Sequence, residues 1–443
     1  MPIEPQPVKG SDIVERMQRA KALVLACGAA AALAGWALAD RLEDTIYIPL
    51  DHPAIQYYQH PNDAVARLEK RIESGQMKLA YAPNGWGYLP ALLRELDINI
   101  DSQVLVFSKT SIQAQHISPL TPRAIYFNDE VAVGYVQGGD VLEISALDPK
   151  LGIVLYTLDA DQSPKPQLAR RDDCLRCHQG PITMGIPGIF VSSLHPQTEK
   201  ARDVHGASFI TDDRTPFKER WGGWYVTGTH GSQVHLGNNV NLVDPLNPGG
   251  PGGAQTQNVT SLSDYIDTAR YLAPTSDIVA LLTLEHQARM TNLLTRIGWD
   301  ARIAQHDGKT DANSNKQLDS EIEEMVSYML FAEAEPLRAP VMGVSSFSKT
   351  FPQRGARDSK GRSLRDFDLQ TRLFRYPLSY MIYSAAFDTL PDRVKDRVYL
   401  RLAEILSGKD RSETYARLSE GERRDILAIL RETKKGLPAS FGN

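Results

Sequence analysis

Two cysteines and a histidine within five residues constrain this chain more than any other feature. The stretch Arg170–Gly180 holds Cys174, Cys177 and His178 in the order Cys-x-x-Cys-His, and the 443-residue chain has 3 cysteines in all. Two thiols three apart on one helical turn lie on the same side. They can reach two points on the edge of one flat ligand, while the adjoining imidazole addresses its centre. This is the attachment signature of a c-type haem, with Cys174 and Cys177 as covalent anchors and His178 as the proximal iron ligand. One motif predicts one covalently bound haem c. Two other readings of the cysteine pair stand beside it. A thioredoxin-like redox pair would lie between a strand and a long helix, whereas Gly180 and Pro181 stop a helix here almost at once. A closed structural zinc site needs four ligands, and the sequence holds no second cysteine pair.

The N-terminus reads as an address. Arg19 and Lys21 precede the apolar run Ala22–Ala39, which ends small-x-small at Ala37, Leu38 and Ala39 before Asp40. That order describes a secretory signal cleaved after Ala39. Glu4, Asp12 and Glu15 are unusual in a signal and point to Met17 as the start of translation. An uncleaved anchor is the other reading, since the run falls just short of the ~20 residues a spanning helix needs. Either way the expectation is an exported, periplasmic chain, soluble after cleavage or tethered through 22–39. If Cys27 leaves with the signal, the mature chain keeps Cys174 and Cys177, so its stability rests on core packing and not on disulfides. Lys and Arg number 49 against 54 Asp and Glu, a net charge of −5 that gives no case for nucleic acid.

The pattern along the mature chain predicts an α+β fold. Asn62–Ser74 reads as an amphipathic helix with an Asn cap, and Leu89–Leu96 as a short one. Val104–Phe107, Arg123–Phe127, Val131–Val136, Val141–Leu147 and Ile153–Leu158 are closely spaced β-branched and aromatic runs, punctuated by Asn, Asp and Gly. Such spacing leaves no room for crossover helices and predicts an antiparallel meander. The segment after His178 is apolar and rich in Gly and Pro, with Ile186, Ile189 and Phe190 placed to exclude water; a plain core loop is the alternative. The glycine-rich run 247–253 marks the clearest break. Beyond it the period turns helical. Ser276–Gly298, with Ser as its cap and Gly298 as its stop, carries an apolar stripe that includes His286; Leu318–Ala334 follows, and Leu378–Thr389, Pro391–Leu406 and Ser419–Thr433 close the chain, the last opening on a capping-box pattern at Ser419 and Glu422. Ser346–Asp366 is basic and reads as a loop. The division expected is 1–39 signal or anchor, 40–160 α+β with the meander, 161–253 haem-binding segment, and 254–443 mainly α-helical.

At Cys174–His178 the sequence resembles c-type cytochromes. It does not resemble the small class I cytochrome c fold, in which the motif opens the domain. Taken whole, with Asp97–Ser108, Arg220–Gly231 and Phe374–Tyr380 as the most telling stretches, it resembles a large bacterial monohaem cytochrome c domain family of undefined function. That resemblance implies no catalytic residues.

The sixth iron ligand has no motif and is argued by reach. Six residues separate Met184 from His178 and span ~20 Å at full extension, too short to round a porphyrin edge. His195 and His205 reach further, although His195 precedes Pro196 in a surface turn. His286, on an apolar helix face, and His230, among glycines and tryptophans, are the candidate distal ligands, ahead of His235; a vacant distal site is the further alternative. A lone His on such a face is otherwise a hydrogen-bonded core residue. The function expected is electron transfer with a redox partner protein or a small-molecule donor or acceptor. The alternative is a haem-dependent oxidoreductase, peroxidase- or oxygenase-like, with an open distal position. A docking platform and a thiol–disulfide exchanger are the remaining classes.

Overall fold

The computed structural model describes residues 47–83, 85–194, 208–240, 258–309 and 311–441. The apolar run 22–39, Cys27, His195, His205 and the glycine-rich 247–253 lie outside these residues. Two amphipathic helices lead into the sheet: α1 (Ala64–Glu73) and α2 (Leu89–Glu95). The cap of α1 is Asp63 rather than Asn62. Its Oδ1 accepts from the Val65 and Ala66 amides, and its Oδ2 accepts from the Tyr156 hydroxyl at 2.6 Å, so the cap also fastens the helix to the sheet.

The expected meander is present and longer at both ends. Strands β1 (Val104–Val106), β2 (Arg123–Phe127), β3 (Val131–Tyr135), β4 (Val141–Asp148), β5 (Gly152–Asp159) and β6 (Leu168–Arg170) pair with their sequence neighbours, all antiparallel. β7 (Val191–Leu194) and β8 (Ser208–Thr211) form a separate ribbon, and β9 (Trp224–Tyr225) joins β1 to make the seventh strand. Alternation along the strands sorts the two faces. Ala124, Tyr126, Val133, Tyr135, Leu142, Ile144, Val154 and Leu158 are buried on the first. Each large side chain there contributes about 1.5–3 kcal/mol. On the second face Arg123, Ile125, Ala132, Val141, Glu143 and Ser145 are half-buried.

The C-terminal region is built on α4 (Ile278–His306), a helix of 29 residues and about 43 Å. It is buried on nearly every side along Ile278–Ala301, which a one-sided stripe did not foretell. Two expectations about it are corrected. The cap is Asp277, because the Ser276 hydroxyl instead donates to the Tyr225 carbonyl and accepts from the Leu105 amide, tying the helix start to β1 and β9. Gly298 does not end the helix. It lies where a side chain would crowd Leu390, at 3.3 Å, so its small size serves close packing inside the helix.

Around α4 lie α5 (Ala312–Met329), α6 (Phe347–Gln353), α7 (Asp392–Leu406) and α8 (Glu420–Thr433). The basic stretch read as a loop contains α6, whose Phe347 and Phe351 are buried, Phe347 with its ring 5.8 Å from Phe127. Leu378–Thr389 is not one helix. Ser379 and Ser384 each cap a short turn, and the second interrupts the first. The capping box read at Ser419 is present, with Glu422 as its partner. Leu50–Asn443 packs as one compact unit, and β9 brings part of 161–253 into the sheet. The fold is α+β, with an N-terminal seven-stranded antiparallel sheet and a C-terminal helical region. No described helix is long and apolar enough to cross a membrane.

Candidate functional site

The Cys-x-x-Cys-His segment leaves the sheet directly from β6. The Arg171 amide donates to the Leu155 carbonyl at 2.8 Å, one step beyond the β5–β6 ladder. Arg170 and Arg171 then pair with Asp172 and Asp173, and Arg170 also reaches the Tyr57 carbonyl at 2.8 Å. The run of two arginines and two aspartates is thus the hinge that turns the chain. A 3-10 turn over Asp172–Cys174 and the four-residue helix α3 (Leu175–His178) follow, ended by extended Gln179 and by Gly180–Pro181.

Within this turn Leu175 points into the core, Cys174 is half-buried and Cys177 is exposed; both thiols are free. His178 turns inward. Its Nδ1 lies 2.9 Å from the Gly188 carbonyl oxygen, and the Gly188 amide donates back to the His178 carbonyl at 2.8 Å. A carbonyl can only accept, so Nδ1 carries the proton and Nε2 keeps its lone pair. That is the tautomer in which an imidazole ligates a metal. Burial holds the His178 pKa below the ordinary histidine value, favouring the neutral ring, with Gly188 opposing it and Arg123 and Glu143 acting as the nearby charges. Glu143 also acts on Cys174. On the half-buried second face of the sheet, Gly134 stands between Arg123 and Glu143 without a side chain.

The loop that aims His178 is fixed from α4. Asn292 donates from Nδ2 to the Ile189 carbonyl at 2.8 Å and accepts from the Ile189 amide at 3.2 Å. Arg296 donates to the Met184 carbonyl at 2.7 Å. Gly188 is required at this approach, since a Cβ there would sit 2.4 Å from Asn292 Oδ1. Of the apolar residues expected to shield the site, Ile186 is fully buried, while Ile189 and Phe190 are half-buried; the Phe190 ring is 5.6 Å from that of His178. Asn292 and Gly188 have no motif, and sequence reading passed over their roles.

The cysteine pair also bears on the competing readings. Burial, reinforced by Asp173, raises the Cys174 pKa. A reactive redox thiol is lowered instead, typically at the start of a longer helix. Two thiols at the rim and one imidazole lone pair inside make a donor set that fits a haem.

The candidate distal ligands are placed very differently from one another. His286 is fully buried on α4, stacked on Phe331 and Tyr328. Its Nδ1 lies 2.7 Å from Asp213 Oδ2 and its Nε2 2.7 Å from Ser379 Oγ. Both ring nitrogens are engaged, so in this arrangement His286 has no lone pair to offer an iron. The hydroxyl–imidazole–carboxylate line has the connectivity of a nucleophilic triad. However, Ser379 and His286 are 0 % exposed and Asp213 7 %, and Ser379 Oγ also caps the Met381 amide. We assign the line to the core, where the neighbouring Arg220–Glu285 pair at 2.9 Å is equally buried.

His230 is buried with its Nε2 accepting from the Asn258 amide at 3.2 Å, while its Nδ1 has no partner among the described residues. Its ring lies 4.7 Å from that of His235 and 5.8 Å from Phe217. Burial lowers the pKa of both histidines, that of His235 to about 3. These neighbours differ from Gly188 and Phe190, which lie beside His178. Met184 sits half-buried in a left-handed turn within the loop itself. No protein-family model matches the chain, and neither a curated protein nor a solved structure matches it.

Proposed function

We propose that this chain is an exported monohaem c-type cytochrome that transfers single electrons. The observation that carries the reading is the lock on His178: Nδ1 is held by the Gly188 carbonyl, and Nε2 is left as a lone pair beside two free thiols. Bound haem would supply the one-electron couple of its iron. Cys174 and Cys177 would hold its edge by thioethers, and His178 would hold the iron through Nε2. Gly188 keeps the ring in one tautomer and orientation, and Asn292 and Arg296 keep Gly188 in place. Phe190, with its ring 5.6 Å away, reduces the water around that ring. Asp172, Asp173, Arg176 and Cys177 are exposed, so the covalent edge faces solvent, where a partner protein can approach for electron exchange. The apolar run 22–39 would deliver the chain to the periplasm, cleaved or as a tether.

The experiment is expression of the full chain in a host able to attach haem c, followed by acid–acetone extraction and a pyridine haemochrome spectrum. One haem per chain should resist extraction, and Cys174→Ala/Cys177→Ala should abolish this while Cys27→Ala leaves it intact. Colourless protein with a reversible Cys174–Cys177 disulfide would replace this reading with thiol exchange.

A second reading is favoured by one observation. Because His286 is engaged at both nitrogens, the distal position is open unless another residue such as His230 supplies it. An open position suits a haem enzyme of peroxidase or oxygenase type. High-spin oxidised protein that binds cyanide readily would select this reading over the carrier.

A further inference from the structure

At the far end of α4 a second donor cluster lies outside the candidate haem site. His306 is the last residue of the helix and Asp307 its C-cap; the helix closes through left-handed Gly308. His52 comes from the opposite end of the compact unit's sequence. It is held in a turn whose carbonyl accepts from the Ile55 and Gln56 amides at 2.8 and 2.9 Å. The His52 Nε2 lies 3.4 Å from Asp307 Oδ1, and the His306 Nδ1 lies 2.9 Å from the same oxygen. One ring nitrogen of each histidine and one carboxylate oxygen all lie within 4.8 Å of one another. The imidazole rings meet edge to face at 5.3 Å, so neither blocks the other.

These separations suit a divalent transition metal. Bonds of about 2.0–2.1 Å in a tetrahedral shell put adjacent donors about 3.3 Å apart. Two imidazoles and one carboxylate select zinc or its neighbours over calcium and magnesium, which prefer all-oxygen shells. Three local features work against binding. His306 Nδ1 donates to Asp307 Oδ1, so ligation there moves the ring proton to Nε2. Lys309 Nζ sits 3.1 Å from Asp307 Oδ2 and competes for the carboxylate. His52 Nδ1 accepts from the Ala54 amide at 3.2 Å, which places the ring proton on Nε2; ligation there moves the proton to Nδ1 and gives up that long bond. All three contacts are partly exposed, so water can take over the groups that a bound ion displaces.

We propose that His52, His306 and Asp307 form a surface site for zinc or a like divalent metal, completed by water. The site staples the turn at residues 50–56 to the C-terminal end of α4. It does not depend on the haem reading.

The test uses the untagged full chain with any free thiols alkylated, so that they take no metal whether or not haem is attached. Zinc alone is titrated against a chromophoric chelator, and thermal unfolding is followed with and without it. The expected result is one zinc per chain and a melting temperature raised by a few degrees in zinc excess, with magnesium inert. His52→Ala and His306→Ala should each weaken binding at least tenfold and abolish the thermal shift. Lys309→Ala should tighten binding, a change that a merely structural salt bridge would not produce. Zinc uptake unchanged in both histidine variants, or no stoichiometric uptake by the parent, overturns the proposal.

Discussion

His286→Ala separates a core histidine from an iron ligand. In the folded chain the ring bonds Asp213 on one side and Ser379 on the other, between Phe331 and Tyr328. Losing the bond to a buried carboxylate costs about 1.5–3 kcal/mol, and losing the hydroxyl bond about 0.5–1.5 kcal/mol. The missing ring leaves a void of roughly 60 Å³, worth about 1.5 kcal/mol at ~24 cal/mol per Å³. The sum, about 3.5–6 kcal/mol, is a large share of the ~5–15 kcal/mol that holds a typical domain together. Denaturant unfolding followed by tryptophan fluorescence should show the midpoint falling accordingly, while the visible spectrum of the proposed haem in the oxidised native protein stays as in the parent. Ser379→Ala removes one of the two bonds and should cost about 1 kcal/mol with the same unchanged spectrum. The reasoning is refuted if His286→Ala turns a low-spin spectrum high-spin with little loss of stability, because the ring would then be ligating iron rather than bridging Asp213 and Ser379.

Asn292→Ala should cost about 2–3 kcal/mol, since it leaves the Ile189 amide and carbonyl without their partners. Hydrogen exchange should quicken over 180–190 before the rest of the chain, and uniform exchange would count against the clamp. The stability contributed by two buried histidines should also fall as pH drops below about 6.5, the unfolded histidine value. His230 and His235 are held neutral by burial, so the unfolded chain takes up protons that the folded chain refuses. Each can cost up to about 1.4 kcal/mol per pH unit within its window, which for His235 runs from about 6.5 down to about 3. Burial raises the pKa of Glu285 and of Glu321 to about 7, which acts in the opposite direction over the same range, so the test is a difference: the parent should lose more stability between pH 7 and pH 5 than His235→Gln does, and equal losses would contradict it.

The sequence by itself determined those features whose physics is local. Alternation of apolar residues with turn signals too close for crossovers specified the meander, because an antiparallel pair needs only its neighbours and a short turn. The capping box at Ser419 is likewise complete within four residues. Cys174, Cys177 and His178 are legible for the same reason, being neighbours on a single turn. Tertiary structure decided what depends on partners distant along the chain. Ser276 lost the helix cap to Asp277 because β1 and β9 claimed its hydroxyl. Gly298 became a packing contact with Leu390 instead of a stop. His286 looked available on an apolar stripe, and only folding brings Asp213 and Ser379 to its two nitrogens. The lock on His178 has the same origin in part: the motif names the ring, but its tautomer is set by Gly188, whose position depends on Asn292 over a hundred residues away. Spacing in sequence encodes which groups share a turn; which groups meet across the core is set by the packing of whole elements, and a single sequence carries no local trace of that.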